Sequence, residues 1–197
     1  SNGSSTNWTV GFNGSSYISI DSCEIKATST RYGRVVDFRG SNSFISFDGN
    51  DLVGRSNATS STWDAIVWDE RGTSHYANDI TFKNNAMTGG SYGFYIYGNN
   101  TSAFQTNWTI ENNTIEDFWY RGIMAYYVKG IEFNNNSIIN RKAYTSANGI
   151  YAYYCYNASY NGNYIELVGG TSSAMGMYLY RPGASGNTTR RTISNNM

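Results

Sequence analysis

One stretch decides the fold: Ile80-Thr81-Phe82-Lys83-Asn84-Asn85-Ala86-Met87. Apolar and polar residues alternate up to Phe82, two asparagines follow, and an apolar residue closes the unit. The pattern occurs seven times in the chain, and in the other six copies the positions equivalent to Phe82 are Ile20, Phe47, Ile110, Phe133, Tyr160 and Ile193. Successive copies are separated by 27, 35, 28, 23, 27 and 33 residues. Repeats of this length with variable spacing are typical of a solenoid whose insertions fall in loops.

The positions two and three residues after the Phe82 equivalent predict a sharp turn and a buried amide ladder. The first of them is nearly always Gly or Asn, the residues that best tolerate a left-handed backbone: Ser22, Gly49, Asn84, Asn112, Asn135, Gly162 and Asn195. The second is Asn in six of the seven copies: Asn50, Asn85, Asn113, Asn136, Asn163 and Asn196. If the copies stack, these side-chain amides can hydrogen-bond from one copy to the next.

A further strand, opened by glycine, follows four of the copies. It reads Gly93-Phe94-Tyr95-Ile96-Tyr97, Gly122-Ile123-Met124-Ala125-Tyr126, Gly149-Ile150-Tyr151-Ala152-Tyr153 and Gly176-Met177-Tyr178-Leu179-Tyr180. Each repeat therefore contains a strand, an Asn-marked turn, a short second strand, a loop and a third strand. Three short parallel strands per coil predict a β-helix.

These motifs resemble the right-handed parallel β-helix repeat of pectate-lyase-like and NosD-like proteins, over about residues 18–197. The resemblance implies an all-β right-handed solenoid of six to seven coils. We expect residues 1–197 to form one domain, with 1–16 as an irregular lead-in that contains one strand at Trp8–Phe12. That superfamily includes lyases, glycoside hydrolases, epimerases, phage tailspikes, adhesins and surface-layer proteins. The resemblance therefore predicts the fold and does not select a function.

Composition excludes two classes of partner. The formal net charge is zero and charged residues make up 14% of the chain, so no basic footprint for nucleic acid or anionic membrane exists. No apolar stretch is long enough to span a membrane. A surface made polar by Asn, Ser, Thr and Tyr favours an extracellular or cell-surface location. Cys23 and Cys155 stand in distant coils, roughly 20 Å apart or more, so we expect two buried thiols and no disulfide.

The glycine-opened strands alternate, so one set of side chains should point outward and form two columns on stacked coils. The outward set is Ile66, Trp68, Tyr95, Tyr97, Met124, Tyr126, Tyr151, Tyr153, Tyr178 and Tyr180. One interpretation is that tyrosine, which favours strands, simply stacks on itself along the solenoid. The other is an aromatic surface that contacts glycan rings or a partner protein. We take Trp68 and the seven tyrosines as the candidate binding residues.

Ionisable groups concentrate in and before the longest loop, at Asp64, Asp69, Glu70, Arg71 and His75. Paired carboxylates there could serve a glycoside hydrolase as acid and base. No acidic cluster recurs at one position of neighbouring coils, however, as a groove site would require. The sequence predicts neither a cofactor nor a metal site, and it leaves enzymatic activity open while favouring its absence.

Asn-x-Ser/Thr sequons occur eleven times, and we single out as possible glycosylation sites Asn57, Asn99, Asn107, Asn112, Asn135, Asn157 and Asn187. Two of them, Asn112 and Asn135, also follow from the turn pattern and can be coincidental.

We therefore expect a non-catalytic extracellular surface, fibre or adhesion module that contacts glycans or partner proteins through tyrosine. The alternative is a polysaccharide lyase or glycoside hydrolase of the β-helix superfamily. Neither 1–16 nor 188–197 resembles an amphipathic cap, so we also expect either a longer polypeptide or end-to-end self-association into a filament.

Overall fold

Three parallel β-sheets wrap around one apolar interior. The computed structural model describes residues 7–29, 32–59, 61–69, 75–100, 104–142, 146–168, 173–181 and 192–197. Each coil passes through the first, second and third sheet in turn, and six complete coils are followed by two strands of a seventh. Within the described residues the only helical element is one 3-10 turn, Thr62–Asp64.

The strands, coil by coil, are: coil 1, β1 (Trp8–Asn13), β2 (Ser16–Asp21) and β3 (Glu24–Lys26); coil 2, β4 (Arg34–Arg39), β5 (Ser41–Asp48) and β6 (Asp51–Val53); coil 3, β7 (Val67–Asp69), β8 (Tyr76–Lys83) and β9 (Ala86–Thr88); coil 4, β10 (Tyr92–Tyr97), β11 (Gln105–Glu111) and β12 (Thr114–Glu116); coil 5, β13 (Arg121–Tyr126), β14 (Val128–Lys129), β15 (Glu132–Asn134) and β16 (Ser137–Asn140); coil 6, β17 (Asn148–Tyr153), β18 (Ser159–Asn161) and β19 (Tyr164–Leu167); coil 7, β20 (Met175–Tyr180) and β21 (Thr192–Ser194).

The repeat alignment predicted from the sequence is the register of the second sheet. Phe82 pairs with Phe47 on one side and with Ile110 on the other, and the pairing continues through every copy from Ile20 to Ile193. All strand pairs are parallel. The expected all-β solenoid with three strands per coil is confirmed.

The core consists of stacked side chains of like kind. Phe47 and Phe82 lie with ring centroids 4.6 Å apart and planes 4° from parallel, and Phe133 stacks on Tyr160 at 5.0 Å. Trp108 is fully buried, and its indole Nε1 donates to the carbonyl of Ala77 at 2.7 Å. Because parallel coils repeat the same position about 4.8 Å apart, one aromatic ring naturally lies on the next.

The corner into the first sheet explains the recurring glycine. A Cβ added at Gly122 would lie 2.6 Å from Ile138 Cγ2, and one at Gly149 would lie 2.5 Å from Ile165 Cγ2. Glycine is therefore needed at this corner because the third-sheet isoleucine packs directly against the backbone.

Strand β1 lies inside residues 1–16, close to the strand expected at Trp8–Phe12, and pairs with β4 in the first sheet. Two other sequence-based expectations are wrong. Cys23 is exposed, because no described strand precedes it on that side of coil 1, whereas Cys155 is buried. Both thiols are free, and burial raises the pKa of Cys155 to about 12, so this thiol stays protonated at neutral pH.

The second error concerns the register of β7. Trp68 pairs with Tyr95 and Asp69 with Ile96, whereas the sequence pattern placed Ile66 beside Tyr95 and Trp68 beside Tyr97. The strand is therefore shifted by two residues. Val67 takes the inward position between Val36 and Phe94, and Ile66 joins the buried core.

Candidate functional site

Tyrosine covers the outer side of the first sheet over coils 4 to 7. The inward residues of β10, such as Phe94 and Ile96, are fully buried, while Tyr95 and Tyr97 are half-buried, and β17 repeats this alternation. We call this surface the tyrosine face. It consists of Tyr92, Tyr95, Tyr97, Tyr120, Arg121, Met124, Tyr126, Tyr127, Tyr151, Tyr153, Tyr154, Tyr178, Tyr180 and Arg181.

The outermost column is a continuous stack of four rings. Tyr97 lies 4.9 Å from Tyr126, Tyr126 lies 4.8 Å from Tyr153, and Tyr153 lies 4.5 Å from Tyr180, with planes 8°, 23° and 8° from parallel. In the neighbouring column Tyr151 stacks on Tyr178 at 4.6 Å. The ring faces are thus turned toward one another along the solenoid axis. A ligand that approaches from outside meets ring edges and hydroxyl groups.

A third column has a strained backbone. Tyr127 and Tyr154 follow β13 and β17 with φ of 53° each, and Arg181 follows β20 with φ of 43°. Left-handed conformations of bulky residues cost on the order of 1–3 kcal/mol each, and coils 1 and 2 use Gly14 and Gly40 at this corner. The strain places two more rings, 5.2 Å apart and 17° from parallel, beside the main stack.

Two arginines supply the positive charge of the tyrosine face. The guanidinium of Arg121 lies 3.7 Å from the centre of the Tyr151 ring and donates to Asn148 Oδ1 at 3.2 Å. Arg181 donates to the Tyr154 hydroxyl at 2.8 Å at the opposite edge. The four strands β10, β13, β17 and β20 contain no lysine, aspartate or glutamate.

Burial keeps the hydroxyls of Tyr126 and Tyr92 protonated over the physiological range. Burial, followed by a hydrogen bond with Tyr151, raises the pKa of Tyr126 well above its usual value. Burial likewise raises the pKa of Tyr92. The face therefore presents neutral hydroxyl groups together with two fixed cations.

Trp68 lies outside this accessible surface, contrary to the prediction that it is a contact residue. Its side chain is buried, because the guanidinium of Arg34 lies 3.1 Å from its ring centre and Trp63 stacks beyond it. Arg34 is itself buried and forms an ion pair of 3.0 Å with the buried Asp37. The sequence analysis missed this cluster, although three charged residues on the six-residue strand β4, Arg34, Asp37 and Arg39, were a visible signal.

The predicted asparagines form a ladder inside the turns that join the second sheet to the third. Asn113 Nδ2 donates to Asn136 Oδ1 at 3.1 Å and to the Phe82 carbonyl at 2.9 Å, while its Oδ1 accepts from Nδ2 and the backbone N–H of Asn85. Asn50, Asn85, Asn136 and Asn163 repeat the arrangement, and Asn196 accepts at the last step. The residue before each ladder member, such as Asn112, is left-handed as the turn pattern requires.

The catalytic candidates that the structure describes, Asp64, Asp69 and His75, do not form an accessible site. Asp64 is buried and its carboxylate is 2.6 Å from the guanidinium of Arg55. Asp69 is buried at an inward position of β7, and His75 is half-buried. Glu70 and Arg71 lie outside the described residues. A carboxylate enclosed in this way cannot reach a polymeric substrate without a rearrangement.

The candidate sequons differ in exposure. Asn57, Asn107, Asn112 and Asn135 are exposed, Asn99 and Asn157 are half-buried, and Asn187 lies outside the described residues. Asn107 donates to Asp79 Oδ1 at 2.8 Å, so this side chain is already engaged.

Neither a metal site nor a membrane span is found in the part of the chain that the structure describes. No three His, Cys, Asp or Glu side chains there come together as metal ligands. Likewise, none of the described segments forms a helix with the length and apolar character to cross a bilayer.

These features define the chain as an all-β parallel solenoid with a continuous amide ladder and an aromatic outer face. A family model described as the right-handed beta helix region matches residues 44–197. Because the match covers most of the sequence, the chain belongs to the right-handed β-helix family. Comparison with curated proteins and with solved structures finds no match.

Proposed function

We propose that this protein is a non-catalytic extracellular or cell-surface module of fibre or adhesion type, and that its tyrosine face binds the partner. The observation that carries this proposal is the stacked, half-exposed tyrosine surface that runs over four successive coils. Large aromatic surfaces that remain in contact with solvent usually mark interaction sites. The low charge of the chain and its exposed sequons support a location outside the cell.

The composition of the face favours a protein partner. Tyrosine, arginine and methionine are enriched in the centres of protein interfaces, while lysine, aspartate and glutamate are depleted. The strands of the tyrosine face have this composition. The stacked rings also hold one another in place, so that little side-chain entropy remains to be lost on binding.

A glycan is the second candidate, favoured by the rows of neutral hydroxyl groups. Ring faces, on which a sugar would stack, are occupied by the neighbouring tyrosines throughout the outermost column. A glycan would therefore be bound through hydrogen bonds to the phenol edges and the arginines.

The test combines Tyr153→Ser with Tyr180→Ser in one double variant. It measures binding to an immobilised glycan library and to a panel of purified cell-surface proteins. We expect the wild-type chain to bind a member of one set, and the double variant to lose about tenfold or more in affinity. Tyr164→Ser is the matched control, because Tyr164 is 40% exposed on the third sheet, away from the tyrosine face.

Circular dichroism checks that the double variant keeps its fold, since each lost ring stack costs about 0.5–1.5 kcal/mol. Equal binding by wild type and double variant would assign the tyrosines to self-stacking alone. Release of shortened chains from a bound polysaccharide would instead support the lyase or hydrolase alternative.

A further inference from the structure

The tyrosine stack joins coils 6 and 7 by contacts that chemistry can make covalent. Tyr153 and Tyr180 are paired in register on adjacent parallel strands, and so are Tyr151 and Tyr178. Their ring centroids are 4.5 Å and 4.6 Å apart, with planes 8° and 20° from parallel. Register and near-parallel orientation together bring the two phenol rings of each pair into stacking contact.

From this geometry we propose that these two pairs are sites of oxidative tyrosine–tyrosine coupling, which staples coil 6 to coil 7. The proposal is independent of what the tyrosine face binds. The reaction needs a one-electron oxidant, of the class of a haem peroxidase supplied with hydrogen peroxide.

The coupling step balances as follows. Each of the two phenols loses one electron to the oxidant and one proton to water, which leaves two phenoxyl radicals. A carbon–carbon bond forms between the two ortho positions, and the hydrogen on each of those carbons moves to the oxygen, so that both phenols are restored. Two hydrogens are lost in all, and one hydrogen peroxide is reduced to two waters.

Three observations make these pairs suitable. All four rings are half-buried, so the oxidant can reach them while the neighbouring ring remains the nearest reaction partner. Holding two reactants in place makes their encounter effectively unimolecular, which favours coupling within the chain over coupling between molecules. The stack also continues through Tyr126 to Tyr97, so a radical formed on another ring of the column can move toward the pair.

The staple would fill a role that disulfides do not fill in this chain. Both cysteines are free, and they stand in coils 1 and 6. A bond from Tyr153 to Tyr180 closes a short loop and restricts the unfolded chain, the means by which a disulfide is held to stabilise a protein.

The experiment treats the purified chain with haem peroxidase and hydrogen peroxide, isolates the monomer under reducing conditions, and cleaves it after glutamate. Cleavage after Glu132 and Glu166 yields fragments 133–166 and 167–197, which separate the partners of each pair. We expect the oxidised wild type to show dityrosine fluorescence and a joined species lighter than the two fragments by two hydrogens for each pair that has coupled.

The double variant Tyr178→Phe with Tyr180→Phe keeps the stacked rings but removes the hydroxyls, and it should lose the joined species. The control Tyr164→Phe removes an exposed tyrosine of the same 133–166 fragment and should retain it. Fragments that separate in the oxidised wild-type monomer would overturn the proposal. Joined fragments that persist in the double variant would overturn it as well.

Discussion

Asn113 shows how one residue connects three coils. Its amide donates to the Phe82 carbonyl in the preceding coil and to Asn136 Oδ1 in the next. Its oxygen accepts two hydrogen bonds from Asn85, which also lies in the preceding coil. Both hydrogens and the oxygen are satisfied although the side chain is 1% exposed. A buried amide of this kind stabilises the fold only because every partner is present.

Asn113→Ala should lower the free energy of unfolding by about 1–3 kcal/mol, since the buried backbone N–H and side-chain amide of Asn85 lose their shared acceptor, and the Phe82 carbonyl loses a donor. Urea denaturation, followed by circular dichroism, measures the loss.

The matched variant is Asn112→Gly, one residue earlier. Asn112 is exposed with φ of 55°, a conformation that glycine adopts freely. Its free energy of unfolding should stay within about 0.5 kcal/mol of the wild type. If both variants lose stability equally, the ladder hydrogen bonds do not carry the energy assigned to them here.

At the scale of the element, strands β10, β13 and β17 of the first sheet begin at a corner where only a backbone without a side chain fits. Gly122 meets Ile138 of β16 and the carbonyl of Gly149 at this corner. The chain must turn sharply there from the third sheet into the first, so the third-sheet isoleucine lies against the turning backbone. The start of β13 thus depends on a residue from another sheet.

Gly122→Ala should destabilise the protein by about 1–3 kcal/mol, because its Cβ would lie 2.6 Å from Ile138 Cγ2 and 2.8 Å from the Gly149 carbonyl oxygen. Thermal unfolding of the purified variant checks this.

Gly176→Ala is the control at the same corner of coil 7, where the nearest atom, Ile165 Cγ2, would be 3.8 Å away. We expect the midpoint of thermal unfolding of this variant to stay close to that of the wild type. Equal destabilisation of the two variants would show that the corner requires backbone freedom and not space.

On the scale of the whole molecule, burial falls from the middle coils toward both described ends. Ile80, Phe82 and Trp108 are fully buried, whereas Ile20 in coil 1 is half-buried and Ile193 in coil 7 is 59% exposed. In a solenoid each coil contacts only its neighbours, so stability is approximately a sum of local terms.

Hydrogen exchange should therefore be graded along the 197-residue polypeptide. Amides of β8 and β11 should exchange slowest, and those of β2 and β21 fastest, because fewer buried contacts hold the outer strands. Mass-spectrometric exchange on peptides from each coil makes the comparison. Uniform protection would indicate one cooperative unit in place of a graded array.

The sequence by itself determined the features that recur from coil to coil: the register of the second and third sheets, the left-handed turn, the asparagine ladder positions and the inward set of β10 to β20. These depend on alternation and on residue types at a turn, which are local properties that a single chain displays directly.

The tertiary structure alone decided the features that depend on contacts between distant residues. Trp68 is covered by Arg34 and Trp63, and β7 is shifted by two residues, so that Val67 lies between Val36 and Phe94. The tyrosine rings face one another because the coils stack at the spacing of paired strands, so edges and hydroxyls remain for a ligand. Alternation tells which way a side chain points from its strand, but what then covers it is set by packing across the molecule.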